Sequence, residues 1–152
     1  FFTVLRSPIS RAMSHYYYCF AHKENNPEYP YIKDMSVEEF LDKYIPDNYM
    51  ARLLIGDKWF DNEISNEVRF DMCISTINER YMAIGKMEYV ICFDSWLTRE
   101  FGGSVIVAHE NKNEHDDSVS VEARLKFLKS NVVDYMLYEY IGNFWENKNL
   151  GK

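Results

Sequence analysis

The sequence predicts an α/β domain with a small parallel sheet and an excess of helix. Three observations carry this prediction. Short runs rich in β-branched and aromatic residues alternate with longer segments of helical periodicity, as in βαβ units. Helix-start signals stand just ahead of several of the periodic segments, notably Ser7-Pro8 and Ser36-Val-Glu-Glu39. The chain has 152 residues, 47% of them apolar, which suits a single domain spanning 1–152 with its own core.

Phe1–Leu5 is apolar and β-branched and reads as a strand. Ser7 is a good N-cap, and Pro8 fits the first helical position, where its missing N–H would have no partner. The helix should run from Pro8 to about Phe20, with Ile9, Met13, Tyr16, Tyr17 and Phe20 as its apolar stripe. Tyr16, Tyr17 and Tyr18 cannot share one face. Residues 25–30 form a proline-bearing loop. A capping box at Ser36 and Glu39 opens a helix with Val37, Phe40, Leu41 and Tyr44 inward, stopped by Pro46. Residues 47–55 are helical, ending at Gly56. The next helix covers 63–80, with Ile64, Val68, Cys73 and Ile77 inward.

A second strand is expected at Tyr81–Ile84, bounded by Gly85. Residues 88–101 form the clearest amphipathic helix, stopped by Gly102-Gly103. Ser104–Ala108 is a third strand and 109–118 a charged loop. Helices at about 120–130 and 131–146 finish the chain, the second with Val133, Met136, Leu137, Tyr140 and Phe144 as its stripe. An opening strand without a polar lead-in implies that upstream strands are missing. The edge and apolar faces thereby bared would favour self-association.

Composition narrows function. Lys and Arg number 17 against 24 Asp and Glu, a net charge of −7. That balance disfavours general binding to nucleic acid or anionic membrane, so an anionic ligand needs a local basic site. The longest apolar runs are only a handful of residues, as in Tyr89–Phe93, so no membrane-spanning helix is expected. Cys19, Cys73 and Cys92 share no CxxC motif and read as reduced, buried small hydrophobes. No signal-peptide pattern and no Asn-x-Ser/Thr sequon occur.

The sharpest chemical feature is the first strand–turn–helix. Ligands of open α/β sheets bind at the carboxyl ends of strands, where Arg6 stands. A helix N-terminus follows, offering N–H groups and the positive end of its dipole. Ser7, Ser10, Arg11 and Ser14 share one side of that helix. Arg6, Arg11 and Ser14 are therefore candidate phosphate ligands, the alternative being an ordinary capped helix with solvated side chains.

The segment from Leu5-Arg-Ser-Pro8 through Arg11 and Ser14 to Tyr18 resembles the second nucleotide motif of the sulfotransferases. The resemblance is to the branch holding the heparan sulfate 2-O- and 6-O-sulfotransferases and their bacterial relatives. That motif reads Leu-Arg-Asp-Pro, then Arg, Ser and Tyr at this spacing, so Ser7 replaces an Asp. Met35–Leu41, Asn48-Tyr-Met-Ala-Arg52, Ala83-Ile-Gly85 and the Asn131/Asp134/Leu137–Tyr140 pattern are similar, in order, to later family segments. Met50 and Ala51 depart from the family's Gln-Thr.

The resemblance implies a helix-rich three-layer P-loop-like fold whose N-terminal strand and phosphate loop are missing here. It implies 3′-phosphoadenosine 5′-phosphosulfate (PAPS) as donor, with Arg6 and Ser14 on its 3′-phosphate and no metal. The acceptor would be a carbohydrate or another hydroxyl or amine compound. The catalytic base is expected upstream of Phe1, and the chain alone is expected to be inactive. Lys112 and Asn113 would close over the nucleotide, unless residues 109–115 are simply a solvated loop.

Other candidates are weaker. His109, Glu110 and His115 resemble a metal set, but the acidic loop reads better as soluble. No Asp or Glu obviously orients His15 for catalysis. Arg52 and Lys58 are candidates to face an anionic acceptor. A kinase-like phosphate-binding domain and a non-catalytic interaction domain are the competing readings.

Overall fold

The computed structural model describes residues 2–60, 63–102 and 119–149. In chain order these form β1 (Phe2–Leu5), α1 (Pro8–Ala21), α2 (Tyr29–Ile32), α3 (Val37–Lys43), α4 (Tyr49–Ile55), a 3-10 turn (Gly56–Phe60) and α5 (Asn66–Arg80). Then follow β2 (Ala83–Lys86), a short 3-10 turn (Met87–Tyr89), α6 (Val90–Phe101), α7 (Val121–Ser130) and α8 (Val132–Asn149). The result is helix-rich α/β. Among the described residues the sheet is a parallel pair, with Phe2 opposite Ala83 and Leu5 opposite Lys86. The expected third strand at 104–108 lies outside the described residues.

The local start signals act as read. Ser7 caps α1 by accepting from the Ser10 N–H, and Ser36 with Glu39 forms a complete capping box on α3. Gly102 ends α6 with a φ of 69°, a left-handed conformation that favours glycine. Gly85 is a correction. It does not bound the second strand but lies inside it, because the Phe93 ring of α6 rests on its Cα. A Cβ there would come within 2.7 Å of Phe93 Cγ. The strand is consequently Ala83–Lys86 rather than Tyr81–Ile84. Val68 is exposed and Cys92 lies on the exposed side of α6, opposite Val90, Phe93 and Leu97, so neither belongs to the core as expected. Tyr140 is also exposed, and nothing is described of the Phe144 side chain.

Two hydrophobic clusters result. One joins α4, Trp59, α5, Ile84, α6 and α8 through Ala51, Cys73, Phe93, Val133 and Leu137, with Val4 and Leu5 of β1 against it. The other joins α1, α2, α3 and α7 through Ala12, Cys19, Ile32, Phe40 and Phe127.

A buried polar junction ties the start of α4 to the start of α8 and the end of α7. Asn48 has a positive φ of 51° and does not cap its own helix. Asp134 does so instead, accepting from the Met50 N–H at 3.0 Å and the Ala51 N–H at 2.8 Å. Asn48 returns the favour: its side-chain oxygen accepts from the N–H groups of Val133 and Asp134. Asn131 completes the set, accepting from the Asn48 N–H at 2.7 Å and donating to the Phe127 carbonyl. All three side chains are almost fully buried. Each helix end would otherwise hide unpaired backbone groups, so the exchange removes a cost of about 1–3 kcal/mol per group.

Candidate functional site

The carboxyl end of β1 opens on a cleft of about 300 Å³. Its floor is mostly apolar, with Leu5, Met50, Leu54 and Leu137 among the lining, and Arg6 and Arg11 supply its cations. The strand fixes the Arg6 backbone. Two turns of α1 then carry Ser14 back beside it, and the Arg6 Nη1 donates to the Ser14 hydroxyl at 3.1 Å. The Ser14 hydroxyl hydrogen is left as a donor, and the guanidinium keeps further N–H groups. Arg11 lies one turn from Ser7, its guanidinium 4.0 Å from the centre of the Tyr49 ring.

The helix end itself offers less than the sequence implied. Pro8 has no N–H. The Ile9 N–H is bonded to the Tyr135 side chain, and the Ser10 N–H is taken by Ser7. An anion at this mouth would meet the α1 dipole but would be held by side chains, above all Arg6, Ser14 and Arg11.

Charge around the cleft is unevenly matched. No carboxylate forms an ion pair with Arg6 or Arg11 among the described residues. The nearest buried acid acts at longer range. Burial pushes the Asp134 carboxyl up from its usual range, while the Met50 and Ala51 N–H groups and the charges of Arg11 and Arg52 oppose that rise.

Lys86 is a basic residue the sequence reading passed over. It ends β2 in register with Leu5, on the same edge as Arg6. Its ammonium lies 3.9 Å from the centre of the Tyr138 ring. The Tyr138 hydroxyl donates to Glu88, and burial, then this bond, push its pKa up. Lys86 does not line the cleft: its side chain lies over α8, against Tyr138 and Gly142.

The remaining candidates are placed as follows. Arg52 stacks over Trp59, 5.5 Å from the ring centre, and so covers an aromatic face. Nothing is described of the Lys58 side chain. Lys112, Asn113, His109, Glu110 and His115 lie outside the described residues. His15 does have an acidic partner, contrary to the expectation: its Nε2 is 2.9 Å from Glu28 Oε2, thirteen residues on and across a loop. Asn48 and Asp134 are accounted for by the helix-end junction.

No family model, no curated protein and no solved structure matches this chain.

Proposed function

We propose that this chain forms the 3′-phosphate-binding half of a PAPS-dependent sulfotransferase, with a P-loop-like three-layer fold. One observation carries the reading: a guanidinium and a hydroxyl eight residues apart meet at the mouth of the first strand and helix. A phosphate there would receive a charge-assisted fork from Arg6, a hydroxyl bond from Ser14 and favourable potential from Arg11 and the helix end. The apolar floor would take the flat face of an adenine ring.

The reaction would move a sulfuryl group from PAPS to a hydroxyl or amine, with carbohydrate as the expected acceptor. A base takes the acceptor proton, while cations and oriented N–H groups stabilise charge on the sulfate and the departing phosphate. Arg6 and Ser14 position the donor without touching the reacting sulfur. No Gly-rich loop with Lys occurs in the sequence to hold the 5′-phosphosulfate. The 152-residue chain by itself is therefore expected to release no adenosine 3′,5′-bisphosphate from PAPS.

Calorimetric titration tests the reading. Adenosine 3′,5′-bisphosphate should bind more tightly than ATP. A preference for ATP would favour a kinase-like site, and no binding of either would end the nucleotide reading.

A further inference from the structure

One cluster lies apart from the cleft and is used by nothing above. His15 and Cys19 sit one turn apart on α1, and Glu28 comes from the loop ahead of α2. His15 Nε2 is 2.9 Å from Glu28 Oε2 and 3.9 Å from Cys19 Sγ. The three ligand atoms all fall within 4.8 Å of one another.

The geometry excludes a nucleophile relay. In such a relay the imidazole faces the thiol with one nitrogen and the carboxylate with the other. Here one nitrogen faces both. A nitrogen, a sulfur and an oxygen instead converge on a single point, which is the requirement of a metal centre.

We infer that His15, Cys19 and Glu28 form a three-ligand site for a divalent transition ion of the zinc type, with a water in the fourth position. Tetrahedral zinc would place its nitrogen and oxygen ligands about 3.3 Å apart and nitrogen and sulfur about 3.6 Å apart. The observed 2.9 Å and 3.9 Å differ from those values by only a few tenths of an ångström. The donor set also selects the ion. A thiolate and an imidazole suit zinc or cobalt and disfavour magnesium and calcium, which take oxygen. Charge closes as well: one thiolate and one carboxylate neutralise a dication, so a neutral centre stands against the buried Cys19.

The surroundings hold the ligands in place. Tyr44 hydrogen-bonds to Glu28, and the Glu28 N–H donates to Asn26 Oδ1 at 2.8 Å. The His15 ring lies 5.9 Å from that of Phe40, which gives the centre an apolar wall. Glu28 and His15 remain part-exposed, so an ion and its water have a route in. On binding, the Cys19 S–H bond breaks, its proton leaves to solvent and a metal–sulfur bond forms. A thiol and an imidazole must both be deprotonated to bind the ion, so uptake should weaken as pH falls.

The site is independent of the nucleotide reading and stands or falls by itself. The test is titration of the reduced, metal-stripped chain with Co²⁺, followed by Zn²⁺. One equivalent of Co²⁺ should give a thiolate-to-cobalt band and tetrahedral ligand-field bands, which Zn²⁺ abolishes. Cys19→Ser should remove the thiolate band, while Cys92→Ser should leave it. Glu28→Gln, at a part-exposed position where folding is readily checked by circular dichroism, should weaken binding by at least the roughly 10- to 100-fold that loss of an outer-shell partner costs. No band in the parent chain, loss of the band in Cys92→Ser, or parent-like affinity in folded Glu28→Gln would each overturn the assignment.

Discussion

Two polar clusters stand out in this chain, one joining distant segments and one local, and they differ in what they leave open. At the junction of α4, α7 and α8, Asn48, Asn131 and Asp134 are 6%, 2% and 2% exposed, and their carbonyl and carboxylate oxygens all accept backbone N–H groups. At the mouth of β1, Arg6 and Ser14 are half-buried and bonded to each other, with donor capacity to spare. The first cluster closes helix ends and has no room for a ligand. The second gathers positive charge on an acidic protein, and among the described residues no carboxylate forms an ion pair with it. Buried polar groups with complete partners maintain a fold, whereas converging donors with N–H groups to spare point to a ligand.

The comparison breaks most visibly at Asp134. Asp134→Ala should strand the Met50 and Ala51 N–H groups and cost about 3 kcal/mol in urea unfolding. A loss under about 1 kcal/mol would show that the junction does not hold the helix ends. Ser14→Ala should move in the opposite pattern. Stability should change by less than about 0.5 kcal/mol, while affinity for adenosine 3′,5′-bisphosphate falls by about 1 kcal/mol, or fivefold.

A finer contrast lies in pH. The caps Glu38 and Glu39 have pKa values lowered below 4.5 by hydrogen bonds, chiefly from the Ser120 and Ser36 N–H groups respectively. Their stabilisation is complete above 4.5 and is lost as pH falls through their folded values. Asp134, raised by burial, has the reverse sign: its ionisation costs stability as pH rises through and above the unfolded-chain range near 3.8. Glu39→Gln should therefore flatten the acid limb of the stability curve, and Asp134→Asn should steepen it by removing the opposing term. An unchanged acid limb in Glu39→Gln would contradict the capping assignment.

What was legible in the sequence was local. Ser7, Ser36 and Glu39 act within one helical turn, and Arg6 and Ser14 meet because a strand end and two turns of helix fix their separation. What was not legible depends on contacts across the chain. Asn48 finds Asn131 83 residues away, and nothing near Asn48 announces that partner. His15 gains Glu28 through a loop whose path no periodicity specifies. Gly85 was misread because glycine usually punctuates, whereas here it admits the Phe93 ring. Cys92 was misread by composition, since its apolar neighbours conceal a helical phase that turns it outward.

The central claim is that Arg6 and Ser14 bind a 3′-phosphate, and Arg6→Ala tests it most directly. Calorimetry should compare adenosine 3′,5′-bisphosphate with adenosine 5′-monophosphate, on the parent chain and on the variant. The account predicts a loss of about 2–3 kcal/mol, roughly 30- to 140-fold, for the bisphosphate and little change for the monophosphate. Equal losses for both nucleotides would mean that Arg6 does not read the 3′-phosphate, and the assignment would be wrong.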